Sequence, residues 1–229
     1  MRATRIHSPL KQNWGKDFAM RVTIIYDNRS LREDLRADWG FSALVEAKGR
    51  RILFDTGARG DVLLGNMRVL GLDPKSIEEV FISHPHADHM GGLSDFLRIN
   101  PVRVVVPRSS PAPGGVEVLR VEKPEEIHPG IYSTGELSGI EQSMAVDSGF
   151  GIVVVSGCAH PGVGRILEVA SRFGEVKGLI GGLHGFSDLE RIKDLDLICP
   201  AHCTVHRSEI MRRFPEKCLE GGAGRVIEI

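Results

Sequence analysis

The chain has 229 residues, which suits one globular domain or a small pair and is long enough to bury a core. Hydrophobic residues make up 41% and charged residues 26% of it, proportions that exclude a disordered or membrane-spanning chain. The net charge of −1 excludes a strongly basic field, so we expect neither nucleic acid nor a membrane as partner. No signal peptide is recognisable, which predicts a cytoplasmic protein with reduced thiols.

The first 19 residues are polar and without periodicity. They predict a loose N-terminal extension before a single domain over residues 20–229, with a substrate-covering or dimerising arm as the alternative. The domain begins with a strand over residues 22–26. Strands over 42–46 and 51–54 then form a hairpin, because Gly49 lies in a turn between them.

Helices are predicted over residues 63–70, which Gly71 ends, and near 93–98. Short strands follow at 102–106, 116–121, 131–133, 143–147 and 152–156. In the last third, helices at 163–173, 189–193 and 208–214 alternate with strands at 178–181, 195–198 and 225–229. Strand-rich halves that are each followed by helices predict an α/β fold in which two sheets pack together with helices outside.

The densest group of metal-binding residue types follows the apolar run 80–82. It has the pattern His-x-His-x-Asp-His: His84, His86, Asp88 and His89. His84 and His86 are two residues apart, so an extended backbone points both rings to the same side. One loop could thus offer two imidazoles to one metal ion and a carboxylate with an imidazole to another. Imidazole and carboxylate suit zinc, and also manganese or iron.

This pattern resembles the signature of the metallo-β-lactamase superfamily, and the similarity runs from about residue 22 to the C-terminus. The resemblance implies a four-layer αββα sandwich that holds one or two metal ions. Four more segments resemble one branch, that of dihydropterin–ribofuranosylaminobenzene-phosphate synthases and metal-dependent hydrolases of unknown substrate: Tyr26-Asp27-Asn28, Asp38 to Leu44, Gly157 to Gly162, and Cys199 to Thr204.

By this resemblance His202 joins Asp88 and His89 at the second metal. Asp55 orients ligands without binding metal, and a simple Asp-Thr-Gly turn is the alternative. The sequence departs from the family at Cys158, which stands where a bridging aspartate is common and has no histidine at the usual distance before it. His160 is therefore expected to complete the site of His84 and His86.

Two further residues remain as alternatives at that first site. Cys158 is either a ligand or a buried thiol, and Glu136 is a substitute ligand. His184 follows another strand end, and we expect it to act as a proton donor or phosphate partner, with a purely structural histidine as the alternative. Asn28, Ser30 and Arg108 are the candidates for substrate contact, since arginine can hold a phosphate with paired hydrogen bonds.

These residues predict an enzyme with two divalent metal ions, zinc before manganese or iron, in which Asp88 and His184 manage protons. Its substrate is expected to be a phosphorylated small molecule, and the branch implies condensation of a dihydropterin methyl diphosphate with an aryl amine. A hydrolase of an ester, lactone or phosphoester is the alternative, and a non-catalytic metal-binding regulator is a further one. A small core without a cap domain favours a homo-oligomer.

Overall fold

The structure is a computed structural model that describes residues 4–5 and 19–229. Most of the predicted N-terminal extension therefore lies outside the described residues, and its looseness stays a prediction. Within it, Thr4–Arg5 forms a two-residue strand, β1, which pairs in parallel with Ile227 and Glu228 near the C-terminus. No helix among the described residues is long and apolar enough to cross a membrane.

The strands form two sheets. The first contains β1, β2 (Met20–Tyr26), β3 (Ser42–Ala47), β4 (Arg50–Phe54), β5 (Glu79–Phe81), β6 (Arg103–Pro107), β7 (Val118–Val121) and β14 (Val226–Glu228). Its spatial order is β1-β14-β2-β3-β4-β5-β6-β7. The second contains β8 (Glu125–His128), β9 (Ile131–Ser133), β10 (Met144–Asp147), β11 (Ile152–Ser156), β12 (Val176–Gly182) and β13 (Leu197–Ala201). Its order is β13-β12-β11-β10-β9-β8.

Helices cover the outer face of each sheet. They are α1 (Gly60–Leu70), α2 (Ala87–Met90), α3 (Leu93–Ile99), α4 (Val163–Ala170) and α5 (Arg207–Arg213). Gly71 ends α1 in the left-handed conformation with φ of 69°, as its position after the apolar run predicts. Two short 3₁₀ helices, Pro74–Ser76 and Leu189–Ile192, complete the set, and the second replaces the α-helix expected at 189–193.

The strand β11 shows how the sequence produces four layers. Its residues are apolar without interruption, which is typical of a strand buried on both faces. Val153 and Val155 enter the core between the two sheets, whereas Ile152 and Val154 enter a second core beneath α4. A third core lies between the first sheet and helices α1 and α3. The predicted αββα sandwich is confirmed.

The direction of the strands determines where the candidate site lies in the fold. Strands β4 to β7 run parallel, and β2 runs in the same direction because β3 is antiparallel to both β2 and β4. In the other sheet β11, β12 and β13 are also parallel. Side chains that follow the carboxyl ends of such strands gather at one edge of each sheet. Two differences from the sequence are local: β8 was not predicted, and β13 begins two residues after the strand expected at 195.

Candidate metal centre

Three histidine rings meet where β5 and β11 end. The ring centroids of His84 and His86 are 4.6 Å apart, and that of His160 lies 4.8 Å and 5.0 Å from them. His84 is buried, His160 half-buried and His86 exposed, so the group opens to solvent on one side. The potential ligand atoms of His84, His160 and Cys158 all lie within 4.8 Å of one another. The structure thus brings together the residues predicted for the first metal.

A second group lies beside the first. The potential ligand atoms of His89, Cys158 and His202 also lie within 4.8 Å of one another. The Oδ2 atom of Asp88 is 3.6 Å from Nε2 of His89 and 3.3 Å from Nε2 of His202. The predicted second set, Asp88, His89 and His202, is therefore assembled around a single point.

Cys158 belongs to both groups. Its buried Sγ atom is 3.2 Å from Nε2 of His89, and it is the one side chain that the two sets of potential ligands share. Glu136, the other alternative, instead accepts hydrogen bonds of 2.6 Å and 2.7 Å from the backbone N–H and hydroxyl of Ser109. Glu136 joins neither group among the described residues, and this leaves Cys158 and His160 as the candidates.

Unpaired ring nitrogens show what this cluster would bind. The Nε2 atoms of His84, His160 and His202 are buried and have no hydrogen-bond partner among the described residues. A buried polar atom without a partner costs about 1–3 kcal/mol, and two of these atoms lie in the first group and one in the second, so each group has nitrogen lone pairs available to a ligand. Imidazole nitrogen, carboxylate oxygen and sulfur are the donors that zinc prefers. The residues therefore fit a divalent metal ion.

Asp55 holds one histidine of each group. This fully buried carboxylate accepts hydrogen bonds of 2.7 Å from the N–H and the hydroxyl of Ser83 and lies 2.7 Å from Nδ1 of His89. The Ser83 hydroxyl is in turn 2.9 Å from Nδ1 of His84. With both Nδ1–H groups donating, the Nε2 atoms of His84 and His89 are left as acceptors for metal. The contacts match the orienting role expected of Asp55.

The loop after β2 orients His202 in a similar way. Asp27 accepts the backbone N–H of His202 at 2.7 Å. The Oδ1 atom of Asn28 is 2.9 Å from Nδ1 of His202 and accepts the N–H of Gly40 at 3.0 Å. Asn28, expected to contact substrate, therefore contacts a predicted metal ligand, and contact with substrate stays a prediction.

The family follows from comparison with known proteins. The sequence profile of the metallo-β-lactamase superfamily matches residues 38–171, which include both the His-x-His-x-Asp-His segment and Cys158 to His160. The chain belongs to this superfamily. The metallo-β-lactamase superfamily is generally metal-dependent, and the chain has its hydrolase fold and is an enzyme by that membership.

Full-length relatives in this metallo-β-lactamase family agree with the predicted branch. The chain is 26% identical to the 7,8-dihydropterin-6-methyl-4-(β-D-ribofuranosyl)-aminobenzene-5'-phosphate synthase of Methanocaldococcus jannaschii, over 94% of this chain and 99% of that protein. It is 29% identical to the solved structure of a metal-dependent hydrolase of the β-lactamase superfamily, with a TM-score of 0.74 over 92% of this chain and 99% of that one.

A metallo-β-lactamase fold protein from Bacillus subtilis shares the fold at 16% identity. Its TM-score is 0.67, and the match covers 93% of this chain and 100% of that one. The superfamily and the branch recognised in the sequence are confirmed. The ligand roles of individual residues stay predictions.

One residue of this metallo-β-lactamase centre has no signal in the sequence. Glu141 is fully buried, and its two carboxylate oxygens accept the backbone N–H groups of Cys158, Ala159 and His160 at 2.9 Å, 3.0 Å and 2.8 Å. Burial raises the pKa of Glu141, while these three hydrogen bonds act in the opposite direction. Glu141 thus fixes the loop that carries both Cys158 and His160.

The protonation states suit metal binding. Burial lowers the pKa of His84 and His89, and the neighbouring histidines lower it further, so both imidazoles are neutral at physiological pH. Burial alone would raise the pKa of Asp88, but the contact of its carboxylate with the His202 ring outweighs burial, and the pKa is lowered to about 2. Neutral imidazole and ionised carboxylate are the forms that ligate metal.

The remaining predicted residues lie at different places. The His184 ring is exposed and its centroid is 5.2 Å from that of His160, which puts it on the open side of the first group. The Ser30 hydroxyl donates to the carbonyl of Arg32 at 2.6 Å within a turn. Arg108 forms an exposed ion pair with Glu122. The described contacts of Ser30 and Arg108 include none of the predicted ligands, and their substrate roles stay predictions.

Two exposed apolar side chains lie on loops that carry the centre. Trp39 is 59% exposed and precedes Gly40, whose backbone has φ of 140° and lies so close to Asp88 that a Cβ atom would be 2.5 Å from the Asp88 carbonyl oxygen. Val205 is 70% exposed, and its N–H donates to the carbonyl of His184 at 2.9 Å. Each is thus next in the chain, or hydrogen-bonded through its backbone, to a residue that lies beside the centre.

Proposed function

We propose that this chain is a dinuclear metal-dependent enzyme that joins a dihydropterin methyl diphosphate to an aryl amine and releases pyrophosphate. The observation that carries the proposal is the pair of adjacent ligand groups that share the sulfur of Cys158. A centre of that kind suits a polyanionic substrate. The full-length similarity to the Methanocaldococcus jannaschii synthase supports the choice of substrate.

The ligands divide between two metal ions. His84, His86 and His160 would hold one ion, and Asp88, His89 and His202 the other, with Cys158 between them. Zinc is favoured over manganese or iron because sulfur is among the donors. When bound, the ions supply positive charge that binds the diphosphate oxygens and stabilises the charge that develops on the leaving group.

The other residues orient the partners and handle one proton. In the condensation the carbon–oxygen bond to the diphosphate breaks, a carbon–nitrogen bond to the amine forms, and the amine loses a proton. His184 lies on the open side of the first group, where its imidazole takes that proton. The Asp88 carboxylate, ionised at neutral pH, is the second acceptor within the centre.

The exposed Trp39 supports a substrate with planar rings. An exposed tryptophan offers a large flat face, and aromatic rings stack on such faces with a gain of about 0.5–1.5 kcal/mol. Trp39 precedes Gly40, which lies close to the Asp88 carbonyl oxygen, and we infer that its exposed indole offers this face to a ring bound near the second ligand group. A pterin or an aryl amine has the matching shape.

Hydrolysis of an ester, lactone or phosphoester is the second candidate. The similarity to a metal-dependent hydrolase of known structure, at 29% identity, favours it, and the same ligands serve both reactions. A non-catalytic metal-binding regulator remains the third candidate. A cytoplasmic location and a homo-oligomer are further predictions, as is the absence of a nucleic-acid partner.

Metal analysis combined with a product assay tests the proposal. The purified protein should contain two equivalents of metal per chain and release pyrophosphate from a dihydropterin methyl diphosphate only when the aryl amine is present. The His86→Ala variant should lose both metal and activity. Two metals without pyrophosphate release would favour the hydrolase, to be assayed on phosphoesters and lactones. One metal equivalent per chain, or none, would contradict the dinuclear centre.

A further inference from the structure

A second thiol lies against the shared cysteine. Cys203 follows His202, and its Sγ atom is 3.4 Å from Sγ of Cys158 and 3.8 Å from the Cys158 carbonyl oxygen. Cys158 is buried, whereas Cys203 is half-buried and is reached more easily by a small solute. The two residues are 45 positions apart in sequence, so the fold alone brings the sulfur atoms together.

A glycine makes this approach possible. Gly182 ends β12, between the strands that lead to the two cysteines. A Cβ atom at this position would lie 2.9 Å from Sγ of Cys203 and 3.2 Å from Cα of Cys158. The same Cβ atom would lie 2.2 Å from the Gly157 carbonyl oxygen, so a side chain at residue 182 would force the segments that carry the two cysteines to shift.

The other two cysteines have different surroundings. Cys199 is fully buried within the core between the sheets, and Cys218 packs against the core beneath α4. Neither belongs to a group of potential metal ligands among the described residues. They provide internal controls for any chemistry that depends on the Cys158–Cys203 contact.

We propose that Cys158 and Cys203 form a redox modification site, at which a peroxide converts the two thiols to a disulfide. The sulfur of Cys203 attacks one peroxide oxygen, the O–O bond breaks, and Cys203 becomes a sulfenic acid while water or an alcohol leaves. The sulfur of Cys158 then attacks the sulfenic sulfur, the S–S bond forms, and water leaves. The two thiols lose two electrons and the peroxide gains them.

The geometry needs little change. A disulfide bond is about 2.05 Å long, so the sulfur atoms must approach by about 1.4 Å from their separation of 3.4 Å. The product ties up the one sulfur atom that both groups of potential ligands share. Disulfide formation and full metal binding at Cys158 therefore exclude each other. This consequence rests on the proposed metal centre, whereas the disulfide itself does not.

Oxidation of the full-length, zinc-loaded protein tests the inference. Hydrogen peroxide should release zinc, measured with a chromogenic chelator, in step with a mass decrease of about 2 Da that a thiol reductant reverses. Peptide mapping should locate the new bond between Cys158 and Cys203. The Cys203→Ser and Cys203→Ala variants should lack the bond and release zinc more slowly, while Cys218→Ser should behave like the parent protein.

Three results would overturn the inference: a disulfide that involves Cys199 or Cys218, zinc release with all four thiols still reduced, or persistent reduced thiols at Cys158 and Cys203. Mapping of the parent protein gives the answer even if the Cys203 variants fail to fold. A protein purified without zinc can be oxidised and mapped in the same way. The test of the disulfide therefore gives a result even if the proposed metal centre is wrong. Pyrophosphate release is a separate measurement.

Discussion

The Nδ1 atom of His89 lies 2.7 Å from Oδ2 of Asp55, and both side chains are fully buried. Through Ser83 the same carboxylate also reaches His84, so one acidic residue orients an imidazole in each of the two ligand groups. Asp55 has a left-handed backbone with φ of 53°, which directs its side chain toward these partners. Asp55 thus contacts one predicted ligand of each site, directly at His89 and through Ser83 at His84.

Asp55→Asn should weaken metal binding without unfolding the protein. Asparagine tolerates the left-handed conformation, but its NH₂ group would face donors from Ser83 or His89. We expect metal affinity to fall about 10–100-fold, measured by competition with a chelator. Asp61→Asn, an exposed residue paired with Arg59, is the matched control. Unchanged metal affinity would support the alternative, in which Asp55 only forms a turn.

Asn28→Ala should weaken the binding of one metal ion and leave the affinity for the other unchanged. The substitution removes the oxygen that accepts from Nδ1 of His202, and this ring then loses its fixed orientation. We expect a loss of about tenfold or more at the second site, measured by isothermal titration with zinc. Asn28→Asp keeps an acceptor for His202 and Gly40 and should bind both metals. Equal weakening in both variants would argue for a different role.

Glu141→Gln should destabilise the fold. The amide NH₂ group would be placed against backbone N–H donors of the segment 158–160, at a cost of about 2–3 kcal/mol in the free energy of unfolding. Urea unfolding of the metal-free protein measures this cost. Glu122→Gln, which breaks only an exposed ion pair with Arg108, should cost under about 1 kcal/mol. Similar losses in the two variants would contradict the role of Glu141.

His184→Ala should keep both metal ions but lose turnover. The His184 ring is exposed and belongs to neither group of potential ligands among the described residues, so its removal leaves both groups intact. Metal content and pyrophosphate release are measured on the same preparation, with His206→Ala as the surface control. Loss of one metal equivalent would show instead that His184 is a ligand.

The metal-free protein should lose stability in mild acid. Burial lowers the pKa of His84 and His89 in the folded state, so below their ordinary pKa of about 6.5 the unfolded chain binds more protons than the folded one. The contribution of these two histidines is therefore retained above about pH 6.5 and falls by about 1.4 kcal/mol per pH unit for each of them below it, while His202 opposes it because its contact with Asp88 outweighs burial and raises its pKa.

Thermal unfolding between pH 7 and pH 5 measures this effect, with metal removed by chelation. His84→Gln should reduce the slope, since one of the two groups no longer titrates. A midpoint that does not change across this range would mean that both imidazoles are protonated in the folded protein.

The sequence by itself determined the features that depend on near neighbours. Uninterrupted apolar residues in 152–155 predict a strand buried on both faces, and the spacing of His84 and His86 puts two imidazoles on one side of an extended segment. The superfamily and its αββα layers follow from such local patterns. The six residues predicted first as ligands lie within the two groups because they follow strand ends that the pattern located, whereas the alternative Glu136 lies in neither group.

Only the tertiary structure decided the contacts between distant segments. Cys158 meets His89 across 69 positions and Cys203 across 45, and Glu141 receives its three hydrogen bonds from a loop at least 17 positions away. No local pattern encodes these distances. They arise because parallel strands of two packed sheets end at a common edge, so residues far apart in the chain share one buried and weakly solvated point.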